Sequence, residues 1–72
     1  MTTPGTARHR GTVLEFDPVA GYGTVGAEQS RWFFHCTAIA DGTRSIQPGT
    51  SVDFGLTPGH LGRWEATDIR TA

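Results

Sequence analysis

Lysine is absent from this chain, and all six of its basic residues are arginines. Seven acidic residues outnumber them, so the formal net charge is −1 at pH 7. Neutralisation of phosphates by basic side chains dominates the affinity of proteins for nucleic acid. The composition therefore argues against strong non-specific binding of DNA or RNA, although arginines clustered on one surface would still support a weaker interaction.

Cysteine and long apolar runs are also scarce. A single thiol, Cys36, excludes an internal disulfide and is typical of a reducing compartment, so we expect a cytoplasmic protein. No apolar run reaches the roughly 18 residues that span a bilayer. The stretch Met1–Ala7 lacks the basic and apolar segments of a secretory signal. We therefore expect no contact with a membrane.

The residue types that build metal and catalytic sites are sparse. One cysteine and three scattered histidines do not supply the four ligands of a structural zinc site, so we expect neither a metal nor another cofactor. No nucleophile pattern accompanies His35, and no glycine-rich phosphate loop precedes a helix. An enzyme is therefore the least expected class, and a binding module is favoured.

Ten glycines and four prolines in 72 residues predict one domain of short strands joined by tight turns. We expect a disordered tail over residues 1–9 and a domain over 10–70. Five short antiparallel strands would close into an all-β barrel, because closure removes exposed sheet edges. The strands are predicted at 11–17, 22–27, 32–36, 50–56 and 63–70, with a connection at 28–31 and a helical turn at 37–40 capped by Thr37. The predicted core comprises Val13, Val25, Phe34, Val52, Phe54 and Ile69, with Trp32 beside them and Leu56 also facing inward.

The second and third predicted strands carry aromatic side chains on the face that the core does not need. Successive side chains of a strand point to opposite faces, which separates Phe33 and His35 from Phe34, and Tyr22 from Val25. Flat side chains on adjacent strands form a platform on which the bases of single strands stack. The pattern predicts such a platform at Tyr22, Phe33 and His35, unless these are ordinary exposed residues.

Several short motifs occur together along the chain: Gly-Thr-Val-x-x-Phe at 11–16, Gly-Tyr-Gly at 21–23, Phe-Phe-His at 33–35, Thr-Ala-Ile at 37–39, Asp-Gly at 41–42 and Pro-Gly at 48–49. In this order and spacing the chain resembles the bacterial cold-shock proteins over roughly residues 10–70. The resemblance implies an OB-fold barrel that binds single-stranded RNA or DNA, as an RNA chaperone or a regulator of gene expression.

The resemblance implies that Tyr22, Phe33 and His35 lie on the binding face, with Phe16 next to them. Five positions depart from the family pattern. Glu15 replaces a tryptophan, Thr24, Cys36 and Thr43 replace phenylalanines, and Ala20 replaces a lysine. Since each base–aromatic stack contributes about 1–3 kcal/mol, we expect binding that is micromolar or weaker and strongly dependent on salt.

Four further residues are candidates for contacts with the nucleic acid. Trp64 follows the last loop, where the family more often has a small residue or proline. It either replaces a lost stacking ring, with Arg63 contacting a phosphate, or packs on the end of the barrel. Arg31 and Arg44, on predicted loops at the rim, are either phosphate contacts or plain surface residues.

A second function fits the same residues. The barrel would have lost nucleic-acid binding and would serve as a protein-interaction module. Tyr22, Phe33 and Phe16 would then form an apolar patch, rimmed by Glu15 and the arginines, that anchors a protein partner. The replacements at positions 15, 20 and 24 favour this alternative.

Overall fold

Five strands and one short 3₁₀ helix make up the part of the chain described by the computed structural model, residues 8–59 and 62–72. The strands close into a barrel in the order β1-β2-β3-β5-β4, which confirms the predicted all-β, five-stranded closed barrel. Residues 1–7 of the predicted tail lie outside the described residues. The elements are β1 (His9–Asp17), β2 (Tyr22–Ala27), β3 (Ser30–His35), the 3₁₀ helix (Cys36–Ala38), β4 (Ser51–Pro58) and β5 (Trp64–Thr71).

One pair of neighbouring strands is parallel, so the prediction of a purely antiparallel barrel was wrong in this detail. β3 and β5 run in the same direction and meet at Phe33 and Glu65. The four other neighbouring pairs are antiparallel. A closed ring with an odd number of strands cannot alternate in direction all the way round. At least one parallel pair is therefore unavoidable.

Two local predictions between β2 and β4 were also wrong. The β2–β3 connection is a two-residue turn rather than a four-residue one, with positive φ angles of 52° at Glu28 and 71° at Gln29. Two-residue turns of this kind usually contain Asn or Gly, and positions 28 and 29 carry neither. Thr37 does not cap the 3₁₀ helix, because the helix begins one residue earlier, at Cys36, and its N-cap residue is His35.

The interior of the barrel contains the six core residues predicted from the sequence. Each has 0–1% of its surface exposed. Ile39 and Ala66 complete the buried cluster, and neither was predicted. Trp32 is half-buried and packs against this cluster, with its ring centroid 5.6 Å from that of Phe54. Leu56 is only half-buried, because the register of β4 shifts between Asp53 and Gly55.

A cluster of charged side chains links the start of β1 to β4 and β5. The Arg8 guanidinium contacts the Asp53 carboxylate, and its Nη1 donates to Asp68 Oδ2 at 2.9 Å. Arg70 donates to the same Asp68 oxygen at 3.1 Å. The hydrogen bond from Arg8 lowers the pKa of Asp53 below its usual range. Arg8 and Arg70 are thus the arginines that are paired with carboxylates among residues 8–59 and 62–72.

Candidate nucleic-acid interface

The β2–β3 hairpin positions the predicted aromatic residues on the outer face of the barrel. Its register sets Tyr22 opposite His35 and Thr24 opposite Phe33. The neighbouring Phe34 is completely buried, so Phe33 and His35, on either side of it, point outward. Tyr22 lies in the same orientation and is 46% exposed.

Tyr22, Phe33 and His35 form a continuous cluster of rings, called the platform below. The centroids of Tyr22 and Phe33 are 5.3 Å apart with a tilt of 32°. Those of Phe33 and His35 are 4.8 Å apart, edge to face. His35 Nε2 lies 4.0 Å from Glu65 Oε1 on the neighbouring strand. Aromatic pairs at these separations attract each other, so each ring holds the next in position for a ligand.

The ring of Phe16 packs against the core, and Phe16 also lines a surface cleft together with Tyr22 and Phe33. The register sets Gly23 opposite both Phe16 and Phe34, and these two rings stack in parallel with centroids 5.9 Å apart. Gly23 is buried between them, and a Cβ there would collide with the Glu15 carbonyl. Phe16 is half-buried against the core and supports the sheet beneath the platform.

Two clefts flank Phe33, and the first lies towards β1. It has a volume of about 310 Å³, and Glu15, Asp17, Tyr22, Thr24 and Phe33 are among its lining residues. Asp17 is already engaged, because its Oδ1 accepts hydrogen bonds from two backbone N–H groups of the following turn. Glu15 is exposed and forms no ion pair within residues 8–59 and 62–72. We call this space the Glu15 cleft.

The floor of the Glu15 cleft is formed in part by Thr24. The register aligns Glu15, Thr24 and Phe33 in one row across three strands, on the outer face. A shift in the pairing of β1 between Val13 and Glu15 keeps Val13 in the core while turning Glu15 outward. The Thr24 Oγ1 atom is covered and has no hydrogen-bond partner among the described residues. A polar atom is therefore left unsatisfied next to the platform.

The second cleft lies on the opposite side of Phe33, between β3 and β5, and we call it the Trp64 cleft. Its volume is about 650 Å³. Trp64 is 57% exposed. Arg31 and Arg63 form no ion pair in the part of the chain that the structure describes. The structure thus brings Arg31, Arg63 and Trp64, three of the candidate nucleic-acid contacts, together beside Phe33. The lining residues are Arg31, Trp32, Phe33, Gly62, Arg63, Trp64 and Glu65.

Arg44 lies apart from these clefts, in the exposed loop between the 3₁₀ helix and β4. It lines neither cleft, and its φ angle is +59°. The preceding turn is fixed by Asp41, which accepts hydrogen bonds from the backbone N–H and hydroxyl of Thr43 at 2.9 and 2.8 Å. These bonds lower the pKa of Asp41. Thr43 stands where the family has a phenylalanine, and its side chain is engaged in hydrogen bonds within the loop.

Glu65 is a neighbour of the platform that the sequence reasoning did not single out. Its position could not be predicted from β5 alone, because it depends on the parallel pairing with Phe33.

Within residues 8–59 and 62–72, no group of three or more His, Cys, Asp or Glu side chains is arranged to hold a metal ion. The same residues include no helix long and apolar enough to cross a membrane.

A closed five-stranded barrel with an exposed aromatic cluster on β2 and β3 is the architecture of a nucleic-acid-binding OB-fold domain. The sequence matches the family model described as the 'Cold-shock' DNA-binding domain over residues 9–72. The chain therefore belongs to the cold-shock domain family. This membership supports nucleic-acid binding as its function.

A solved structure, "drosophila Unr CSD456", is similar to this chain with a TM-score of 0.76 and 28% sequence identity. The match covers 94% of this chain and 28% of that one, so the chain spans little more than a quarter of the length of the solved Drosophila chain. The comparison with curated proteins finds no match.

Proposed function

We propose that the platform binds single-stranded RNA or DNA by stacking bases on Tyr22, Phe33 and His35. The contact of the Phe33 ring with both of the other rings carries this proposal. Phe33 also lines both flanking clefts, so a strand that crosses the barrel surface meets this ring on either route. Stacking suits a single strand, because its bases are not held in base pairs and every base has a π-face.

The Trp64 cleft extends the proposed binding surface towards β5. Trp64 offers a further ring, and the unpaired Arg31 and Arg63 supply positive charge for the phosphates. Arg8 and Arg70 are less available, because carboxylates already neutralise them. The strand is therefore best accommodated over β3 and β5. Arg44 is a more remote phosphate contact that serves a longer strand.

Carboxylates lie on both sides of the platform. Glu15 and Asp17 lie on the β1 side, and Glu65 lies beside His35 on the side of the Trp64 cleft. Carboxylates near the path of the phosphates oppose binding by charge repulsion. Added salt screens this repulsion, and it also weakens the attraction between arginines and phosphates. The net charge of −1 adds no general attraction. Affinity is therefore micromolar or weaker and falls as salt is raised.

Affinity measurements with short oligonucleotides test the proposal. Wild-type protein and Phe33→Leu are titrated into fluorescently labelled oligo-U and oligo-T, and anisotropy is recorded at low salt. Phe33→Leu keeps an apolar side chain but removes the ring, and its affinity is expected to fall about 5-fold or more. Val19→Ala is the control, because Val19 is 97% exposed in the β1–β2 turn. Equal affinity of wild type and Phe33→Leu would contradict base stacking at the platform.

A protein-interaction module is the second candidate, favoured by the carboxylates that rim the Glu15 cleft. Absence of binding to any single strand at millimolar concentration would support it. We also keep three predictions from the sequence: a bacterial source, a cytoplasmic location, and a role as RNA chaperone or regulator of gene expression. The last is tested by melting of a fluorescently labelled RNA hairpin on addition of the protein.

A further inference from the structure

The Glu15 cleft places a carboxylate beside a base-stacking surface. Glu15, Thr24 and Phe33 form one row across β1, β2 and β3. Neighbouring strands are about 4.8 Å apart, so Glu15 and Phe33 are separated by about 10 Å at the backbone. The small Thr24 between them leaves the cleft of about 310 Å³. A base that rests against Phe33 or Tyr22 there directs its edge towards Glu15.

The Glu15 carboxylate is available to a ligand in a way that its neighbour is not. Asp17 Oδ1 is engaged by the N–H groups of Val19 and Ala20 at 2.9 and 3.1 Å. Glu15 is exposed and has no ion pair within the described residues. An ionised carboxylate only accepts hydrogen bonds, so it selects for donors on the base edge.

The four bases differ in the donors that they present to such a carboxylate. Guanine has two adjacent donors, N1–H and the N2 amino group, which match the two oxygens of a carboxylate in a bidentate pair. Cytosine and adenine present one amino group next to an acceptor nitrogen. Uracil and thymine present one N–H between two carbonyl oxygens, which repel a carboxylate. A site that contains an unpaired Glu therefore ranks guanine first and uracil or thymine last.

We infer that Glu15 is a specificity-determining residue, which makes the Glu15 cleft prefer guanine over uracil or thymine in a single strand. The inference rests on the proposed function, since it requires a strand bound on the platform. It also assigns a role to the residue that stands where the family has a tryptophan. Glu15 in place of tryptophan removes a stacking ring, which lowers the affinity for all single strands. It also introduces a difference in affinity between bases.

Two RNA heptamers test the inference, one of seven uridines and one in which the central uridine is replaced by guanosine. A single guanosine cannot form a quadruplex, and both probes carry the same charge. Wild type is expected to bind the guanosine probe at least about 5-fold more tightly. In Glu15→Gln this ratio is expected to fall to about one, while affinity for the uridine probe rises or stays constant because repulsion of phosphates is lost.

Glu28→Gln is the matched control, because it removes the same charge from the exposed β2–β3 turn, where Glu28 lines neither cleft. It should keep the wild-type ratio. Equal binding of the two probes by wild type, or a ratio that survives Glu15→Gln, would overturn the inference and leave the proposed function intact. Failure of wild type to bind either probe would overturn both.

Discussion

Replacing Thr24 by phenylalanine should restore binding strength to the platform. Thr24 lies in the outward-facing row between Glu15 and Phe33, so a ring at this position reaches the surface next to Phe33. Its covered hydroxyl has no partner among the described residues, so removing it breaks no hydrogen bond. The cleft of about 310 Å³ has room for the larger side chain. We therefore expect the variant to fold with little change in stability.

The size of the gain follows from the energy of one added stack. Base–aromatic stacking contributes about 1–3 kcal/mol per base, which corresponds to an affinity for oligo-U that is about 5- to 150-fold tighter. Anisotropy titrations of Thr24→Phe and Thr24→Val measure it. Thr24→Val removes the hydroxyl without adding a ring and should leave the affinity unchanged. If Thr24→Phe binds oligo-U no more tightly than Thr24→Val, the platform does not bind bases by stacking.

Three further predictions concern the Trp64 cleft and the charged cluster. In a Trp32→Phe background, single-stranded oligonucleotide should quench the fluorescence of Trp64, because this ring is exposed beside Phe33. Arg63→Ser should reduce the slope of log affinity against log salt by about 0.7, the value for one phosphate contact to a single strand. Arg8→Ala should lower the Tm at neutral pH. That difference should become smaller in acid, as the pH falls through the depressed pKa of Asp53, because only the hydrogen bonds of Arg8 to backbone carbonyls do not depend on an ionised carboxylate.

Each of these predictions has a result that would contradict it. Unchanged Trp64 fluorescence at saturating oligonucleotide would mean that this ring does not contact the strand. Arg70→Ser serves as the control for the salt slope, since Arg70 is already paired with Asp68. An equal change of slope in both arginine variants would exclude a specific role for Arg63.

The sign of the acid effect follows from the direction of the pKa shift. The hydrogen bond from Arg8 lowers the pKa of Asp53 below its ordinary value of 3.8. The stabilisation is therefore complete above that value and is lost as the carboxylate is protonated at lower pH. A Tm difference between wild type and Arg8→Ala that is as large at pH 2 as at neutral pH would contradict the assignment. Thermal unfolding followed by circular dichroism across this range measures it.

The core and the platform could be predicted from the sequence, because both depend on alternation within a strand. Phe34 between Phe33 and His35 shows the pattern directly: the structure buries Phe34, leaves Phe33 half-buried and exposes His35 on the outer face. The bounds of β2 were also predicted correctly. Alternation is a local property, so it survives whatever the other strands do.

Features that depend on the pairing between strands could not be predicted from the alternation within a single strand. Glu65 reaches the platform through the parallel contact of β5 with Phe33, which only barrel closure creates. Phe16 lines the Glu15 cleft together with Tyr22 and Phe33, while its ring stacks on Phe34, a contact that the sequence did not predict. The irregular pairing of β1 after Val13 causes this, since it shifts the alternation by one residue. A bulge of this kind leaves no clear signal in the sequence.

Chemical-shift mapping tests the central claim most directly. The protein is titrated with oligo-U, oligo-T and a mixed single strand at low and at physiological salt, and amide and ring resonances are followed by NMR. We predict shifts that cluster at Tyr22, Phe33 and His35 and that shrink as salt is raised. Saturating shifts confined to another face of the barrel, or none at millimolar oligonucleotide, would contradict binding of single strands at the platform.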